Sequence, residues 1–181
     1  MQDREARTAG RNARARERQE WLRTGQVELA DAMMGDKSVE ALSDAVLSFF
    51  ARYVGCQAAA LFKGEAGVFR RVATLGVPAD ANMPERFARK EGLLGQVASE
   101  GRAIILSDIP EGYLTMGSAL GRDKPRHIAI VPTHADELVN AVMELGFLQP
   151  VDDIVLELLS ESSAAIGIAL RSARYRTQLQ D

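Results

Sequence analysis

The chain has 181 residues, 46% hydrophobic and 26% charged, with a formal net charge of −3. That is long enough for one domain with a sizeable core plus an appendage, and the near-balance of charge gives no chain-wide case for a nucleic-acid partner. No apolar run nears the roughly 20 residues that cross a bilayer, the arginine-rich start lacks a signal-peptide core, and the single Cys56 cannot form an internal disulfide, so a cytoplasmic module is expected.

From Gln2 to Met34 the chain is rich in Ala, Arg and Glu and has no proline, which predicts one long helix. Seven arginines lie between Arg4 and Arg23, but interspersed acids such as Glu17 and Glu20 make this a solvated face rather than a phosphate grip. Apolar residues gather after Trp21, so the helix should protrude and join the core through its C-terminal half, with Gly25 a weak point. Gly35-Asp36-Lys37 breaks it. Ser38 then caps a second helix running to about Val54, with Leu42, Val46 and Phe49/Phe50 on one stripe and Gly55 as its stop.

Cys56 to Lys63 and Val68 to Leu75 read as a hairpin around Gly64–Gly67. An irregular stretch with Pro78 and Pro84 leads to EGLLGQVASEGRAIILSDIP, Glu91 to Pro110. Its glycines at 92, 95 and 101 suggest a phosphate cradle at first sight. Such a cradle needs a strand before the glycines and a helix after them, and here the order is reversed. Gly101 fits a helix C-cap, Gly92 and Gly95 fit close packing, and Ala103 to Leu106 makes a third strand. A long loop follows, then a second hairpin, Arg126 to Val131 and Leu138 to Leu145. Pro150 at a first helical position, with Asp152 and Asp153 in the opening turn, launches a last long helix. Its residues Val151, Val155, Leu158, Ser162, Ala165, Ala169 and Leu179 fall on alternating three- and four-residue steps, with Ser172 and Arg176 interrupting between the last two. Two terminal helices that outrun a domain suggest pairing across a homodimer.

The motif Gly92-Leu93-Leu94-Gly95-Gln96-Val97, then Gly101 and Asp108-Ile109-Pro110, followed by HIAIVPTHADELVNAVMELG, resembles a GAF domain from Thr24 to Arg174. Pro132 would end that family's fourth strand. The resemblance implies an α+β fold: a central antiparallel sheet of order 2-1-5-4-3 flanked by helices, with the long terminal helices on one face. It is nearest to GAF domains that sit between a membrane-proximal signalling helix, often a HAMP domain, and a histidine kinase. On that reading residues 1–23 are an incoming signalling helix, 24–174 the GAF domain and 175–181 the start of an outgoing helix, the whole being an excised part of a larger sensor.

Several chemistries of the family find no support in these residues. The Asn-Lys-Phe-Asp-Glu signature of cyclic-nucleotide binders is missing, and Cys56 is not in the loop region where bilins attach. One cysteine is too few for a disulfide relay. His127 and His134 are too sparse for a metal or haem site, and no Ser-His-acid or paired-carboxylate set assembles. No catalytic residue, metal ligand or particular cofactor is therefore assigned.

A ligand pocket stays open. Centring the second hairpin's turn on Ala135-Asp136 sets His127 opposite Glu144 and puts both, with Asn140, on a mixed face toward the long loops, where the family keeps its pocket. Ile128, Ile130 and Pro132 with Val139, Ala141, Met143 and Leu145 would then lie on the terminal helices. Tyr113 and Ser118 of the loop would close over the polar pair. A second account has His127 and Glu144 as a structural pair that binds nothing. The functional expectation is a non-catalytic sensor or transmission module relaying through a dimeric helix pair to a downstream kinase or other output domain. The alternatives are a ligand-free dimerisation scaffold and a small redox enzyme.

Overall fold

The second helix begins where its cap predicts: the Ser38 side chain accepts a hydrogen bond from the Ala41 N–H. In the computed structural model, which describes residues 2–110, 113–118 and 121–180, this is α2 (Val39–Val54), and Gly55 ends it in the left-handed conformation at φ 75°. Before it runs α1 (Gln2–Met33). After it come β1 (Ala58–Glu65), β2 (Val68–Leu75), β3 (Arg86–Ala88), α3 (Gly92–Glu100) and β4 (Ile104–Leu106). The chain continues with β5 (Met116–Ser118), β6 (Gly121–Asp123), β7 (His127–Ala135), β8 (Leu138–Phe147) and α4 (Asp153–Gln180). The class is α+β, as expected.

Six strands form one antiparallel sheet, ordered β3-β2-β1-β8-β7-β4. The five expected strands keep the order 2-1-5-4-3. The stretch read as irregular contributes a sixth, β3, on the outer edge of β2. The long loop also holds a two-stranded sheet, β5 with β6. Gly101 is the C-cap of α3 at φ 69°, its N–H bonded to the Val97 carbonyl. A Cβ on Gly95 would come within 2.6 Å of the Ala88 carbonyl oxygen, which explains that glycine by close packing.

Two boundaries and one register depart from the sequence reading in ways that matter for the site. β7 does not stop at Pro132 but continues to Ala135, pairing Pro132 with Val142. The proline is tolerated because β4 covers β7 only to Ile130, so beyond that point β7 is an edge and one N–H is not required. The last helix starts at Asp153 rather than Pro150, and the Asp152 carbonyl accepts its first turn. The third difference is register. Asp136 and Glu137 form the two-residue turn, at φ 50° and 66°, both positive as a type I′ hairpin requires.

The sheet separates two apolar layers. On one side Ala59, Leu61, Ala129, Val131, Ala141, Met143 and Leu145 pack under α1, α2 and α4. On the other Ala58, Ala60, Phe62, Ile128, Ile130 and Val142 pack under α3 and the loop residues Leu114 and Met116. α1 meets the first layer through Leu22 and Leu29. Trp21 stacks on Tyr53 at 4.8 Å, and the Tyr53 hydroxyl donates to the Trp21 carbonyl. Gly25 proves to be a contact rather than a weakness, because a Cβ there would run into the Tyr53 ring at 2.6 Å.

α4 lies directly against β7 at Gly167, where a Cβ would overlap the His134 carbonyl oxygen and lie 2.9 Å from its nitrogen. Both backbones are fixed by pairing, so neither can yield cheaply. Gly167→Ala is expected to lower stability by about 1–3 kcal/mol or more, read from the urea midpoint at unchanged slope.

Candidate functional site

Glu144 sits in the middle of β8, paired with Ile130 of β7 on one side and Ala60 of β1 on the other. Met143 and Leu145 point to the terminal helices, so Glu144 points to the α3 and loop side with Val142. It is completely buried, and among the described residues neither carboxyl oxygen has a hydrogen-bond partner. Burial raises its pKa from 4.5 to about 8, so it is neutral at pH 7 and offers one O–H donor and free acceptor capacity. An unsatisfied carboxyl in the centre of a sheet costs stability, which makes this position the polar focus of an otherwise apolar layer.

The expected pairing of His127 with Glu144 is wrong. His127 faces Phe147, three positions further along β8. An odd slip moves every side chain of one strand to the other face, so Ile128 and Ile130 lie toward the loops while Ala129 and Val131 lie under the helices. The assignment for β8 was right from Ala141 to Leu145 and reversed at Val139 and Asn140, while that for β7 was inverted throughout. His127 instead sets Nδ1 3.3 Å from Ser107 Oγ at the end of β4.

Asn140 is the extra residue of a bulge: Thr133 pairs with Ala141 and His134 with Val139, leaving Asn140 unmatched. Its side chain turns to the terminal-helix side, donating to the Gly167 carbonyl at 2.8 Å and accepting from the Thr133 hydroxyl at 2.8 Å. Both amide atoms are thus engaged in joining β7 and β8 to α4.

Tyr113 lies on the loop side with Glu144. Its hydroxyl is 3.4 Å from the Leu93 N–H at the start of α3, and it lines a cleft of about 180 Å³ with Arg86, Phe87 and Glu91. Ser118 pairs with Gly121 through its backbone, while its side chain lies outside the described residues. Leu114 and Met116 are the loop side chains buried over this face, and a Cβ on Gly146 would meet Leu114 at 2.8 Å and Pro125 at 2.9 Å. The cover on this side is therefore largely apolar. The alternating pattern of the loop was too short to announce it.

Cys56 is buried, and desolvation pushes its thiol up to about 12, so it is held as the poorly nucleophilic thiol. No cluster of metal-ligating side chains occurs among the described residues. No helix of the described chain is long and apolar enough to cross a membrane.

A curled antiparallel sheet with terminal helices on one face and a short helix with long loops on the other defines a small α+β module. The GAF domain family model matches residues 36–171, and the chain belongs to that family. It is similar in structure to the GAF domain of a phosphoenolpyruvate-protein phosphotransferase from Coxiella burnetii, with TM-score 0.70 and 15% identity over 87% of this chain and 96% of that one. A second likeness is to the GAF domain of the Acinetobacter phosphoenolpyruvate-protein phosphotransferase, with TM-score 0.68 and 14% identity over 90% and 98%. A third is to free methionine-R-sulfoxide reductase from Neisseria meningitidis, solved with its substrate, with TM-score 0.63 and 14% identity over 88% and 91%. At such identities these likenesses carry the fold alone. No curated protein matches the sequence.

Because Glu144 has a raised pKa in the folded chain and an ordinary one when unfolded, the native state holds the extra proton between about pH 4.5 and 8. Its contribution is fully present below 4.5 and is lost as pH rises toward 8. Stability is expected to fall across that window by on the order of 1 kcal/mol per pH unit, and Glu144→Gln should flatten the slope in urea unfolding at stepped pH.

Proposed function

We propose that this GAF domain is a non-catalytic sensor and transmission module, working as a homodimer, that passes a change in its loop-side layer to an output domain such as a histidine kinase. The observation that carries this reading is the course of its two long helices. Arg18 of α1 pairs with Glu157 of α4, and Gln26 lies 2.7 Å from Glu161, so the contacts advance in the same direction along both helices. α1 and α4 therefore run parallel. Residues 2–17 project from one end by roughly 24 Å at 1.5 Å per residue, and α4 passes the end of α1 at the other, where Arg176 binds Asp36 at 3.0 Å. A rotation or shift imposed at one end of such a pair is delivered at the opposite end.

The stripe expected to pair the helices lies mostly in the chain's own core, since Val155, Leu158 and Ser162 are buried. A different stripe is uncovered. Ala165, Ile168, Ser172, Tyr175 and Leu179 are all exposed and follow steps of three and four residues. With Leu179 at 87% and Tyr175 at 55% exposure, this face supports a second copy as its partner. The ligand reading rests on Glu144, whose unmet polar atoms give a small molecule something to recognise in the loop-side layer. The redox alternative is disfavoured by the buried Cys56, whose thiolate is costly to form.

Sedimentation velocity should give twice the 19.7 kDa chain mass. The double substitution Ile168→Glu and Tyr175→Glu should return the monomer while leaving the urea midpoint of the fold within about 0.5 kcal/mol, as for other surface changes. A wild-type monomer at all concentrations tested would sink the dimeric relay.

A further inference from the structure

β4 pairs with β7 only as far as Ile130, yet β7 runs on to Ala135. Beyond the first residue of β4, where α4 crosses, the sheet edge is left open. The groove there has a volume of about 540 Å³, within the ~300–1,000 Å³ span of small-molecule sites. It lies on the terminal-helix side, because Val131 and Leu159 in its wall belong to that layer. It is thus separate from the layer that holds Glu144.

Its floor is apolar, made by Val131, Pro132, Leu156 and Leu159. Among the described lining residues Arg102 is the single formal charge and none is a carboxylate. His134 is oriented by a chain of hydrogen bonds. Ser163 Oγ donates to the Pro132 carbonyl at 2.9 Å, so its oxygen must accept from His134 Nδ1, also at 2.9 Å. That turns Nε2 away from Ser163, beside the position a Cβ on Gly101 would take at 3.2 Å. The groups facing the ring are Ser163 from α4, Val139 from β8, and Gly101 with Arg102 past the end of α3. Ser160 of α4 adds a hydroxyl at the rim.

We propose that this groove binds a small organic acid with an apolar body, its carboxyl group held by Arg102, His134 and Ser160 and its tail lying on Val131, Leu156 and Leu159. The acid docks as its carboxylate, and one proton taken from solvent on docking makes Nε2–H a donor to it while Nδ1–H still donates to Ser163, with the fixed charge of Arg102 on the other side. The ligand would touch α3's C-terminal end, the sheet edge and α4 at once, which gives it direct purchase on the helix that leaves the domain.

Octanoate is a suitable probe, with octylammonium as the charge-reversed control. Octanoate should raise the melting temperature of the full chain in a concentration-dependent way and octylammonium should not. Arg102→Gln should weaken octanoate binding by roughly tenfold or more, and Ser160→Trp, at an exposed helix position, should fill the groove and abolish it. Amide chemical-shift mapping should show changes at Gly101, Ala103, Ser160 and Ser163. No response to octanoate, an equal response to octylammonium, or unchanged affinity in either variant overturns the proposal. Shifts confined to Ala60, Leu94 and Glu144 would also overturn it and assign the acid to the loop-side layer instead, whereas loss of this groove would leave the dimeric relay standing.

Discussion

The antiparallel ladder between β7 and β8 is the contact on which the rest of the molecule hangs. β8 carries β1 on its far side and β7 carries β4, so the register of this one hairpin decides which residues of four strands face which layer. Two local features set it: the Asp136-Glu137 turn, with both residues at positive φ, and the bulge that leaves Asn140 unpaired. Asn140 then converts the bulge into a joint by bonding Thr133 of β7 and the Gly167 carbonyl of α4. The bulge therefore fixes strand register and helix position together.

With that register in place, the two sides of the sheet acquire different characters. The terminal-helix side is built for close approach, with Gly25 under Tyr53, Gly167 against His134, and Trp21 stacked on Tyr53. The loop side is also apolar but is interrupted by the neutral Glu144, which lacks a partner among the described residues. Among the described residues, the loop-side layer thus holds an unpartnered carboxyl and the terminal-helix side an open groove. Both lie against elements that touch the central hairpin. The two are close along the ladder, since Glu144 pairs with Ile130, one residue from Val131 in the groove wall.

The parallel course of α1 and α4 follows from the same architecture. α4 must return across the sheet beneath β7, and α1 is held beside it by Arg18, Gln26 and the small Gly25. The two helices consequently reach out at opposite ends rather than closing into a hairpin. The exposed stripe from Ala165 to Leu179 is what remains of α4's apolar surface once the core has taken the rest.

Much of this was legible in the residues taken locally. Ser38 and Gly55 marked the ends of α2, Gly101 the end of α3, and strand patterns located five of the six sheet strands, because caps and alternation depend on near neighbours alone. Glu144 was legible too as a polar residue on the loop-side face. What the sequence could not decide was how β7 meets β8: Asp-Glu is a weaker turn signal than Asn-Gly, and a bulge is invisible until both strands are laid side by side. His127 and Asn140 were misplaced for that reason. The groove at Arg102 and His134 escaped notice on the same grounds, since its walls come from segments far apart in the chain and exist only because β4 is shorter than the strand it covers. Local chemistry settled the elements of this protein; the pairing of distant strands settled which of its polar side chains have partners and which are left to find one.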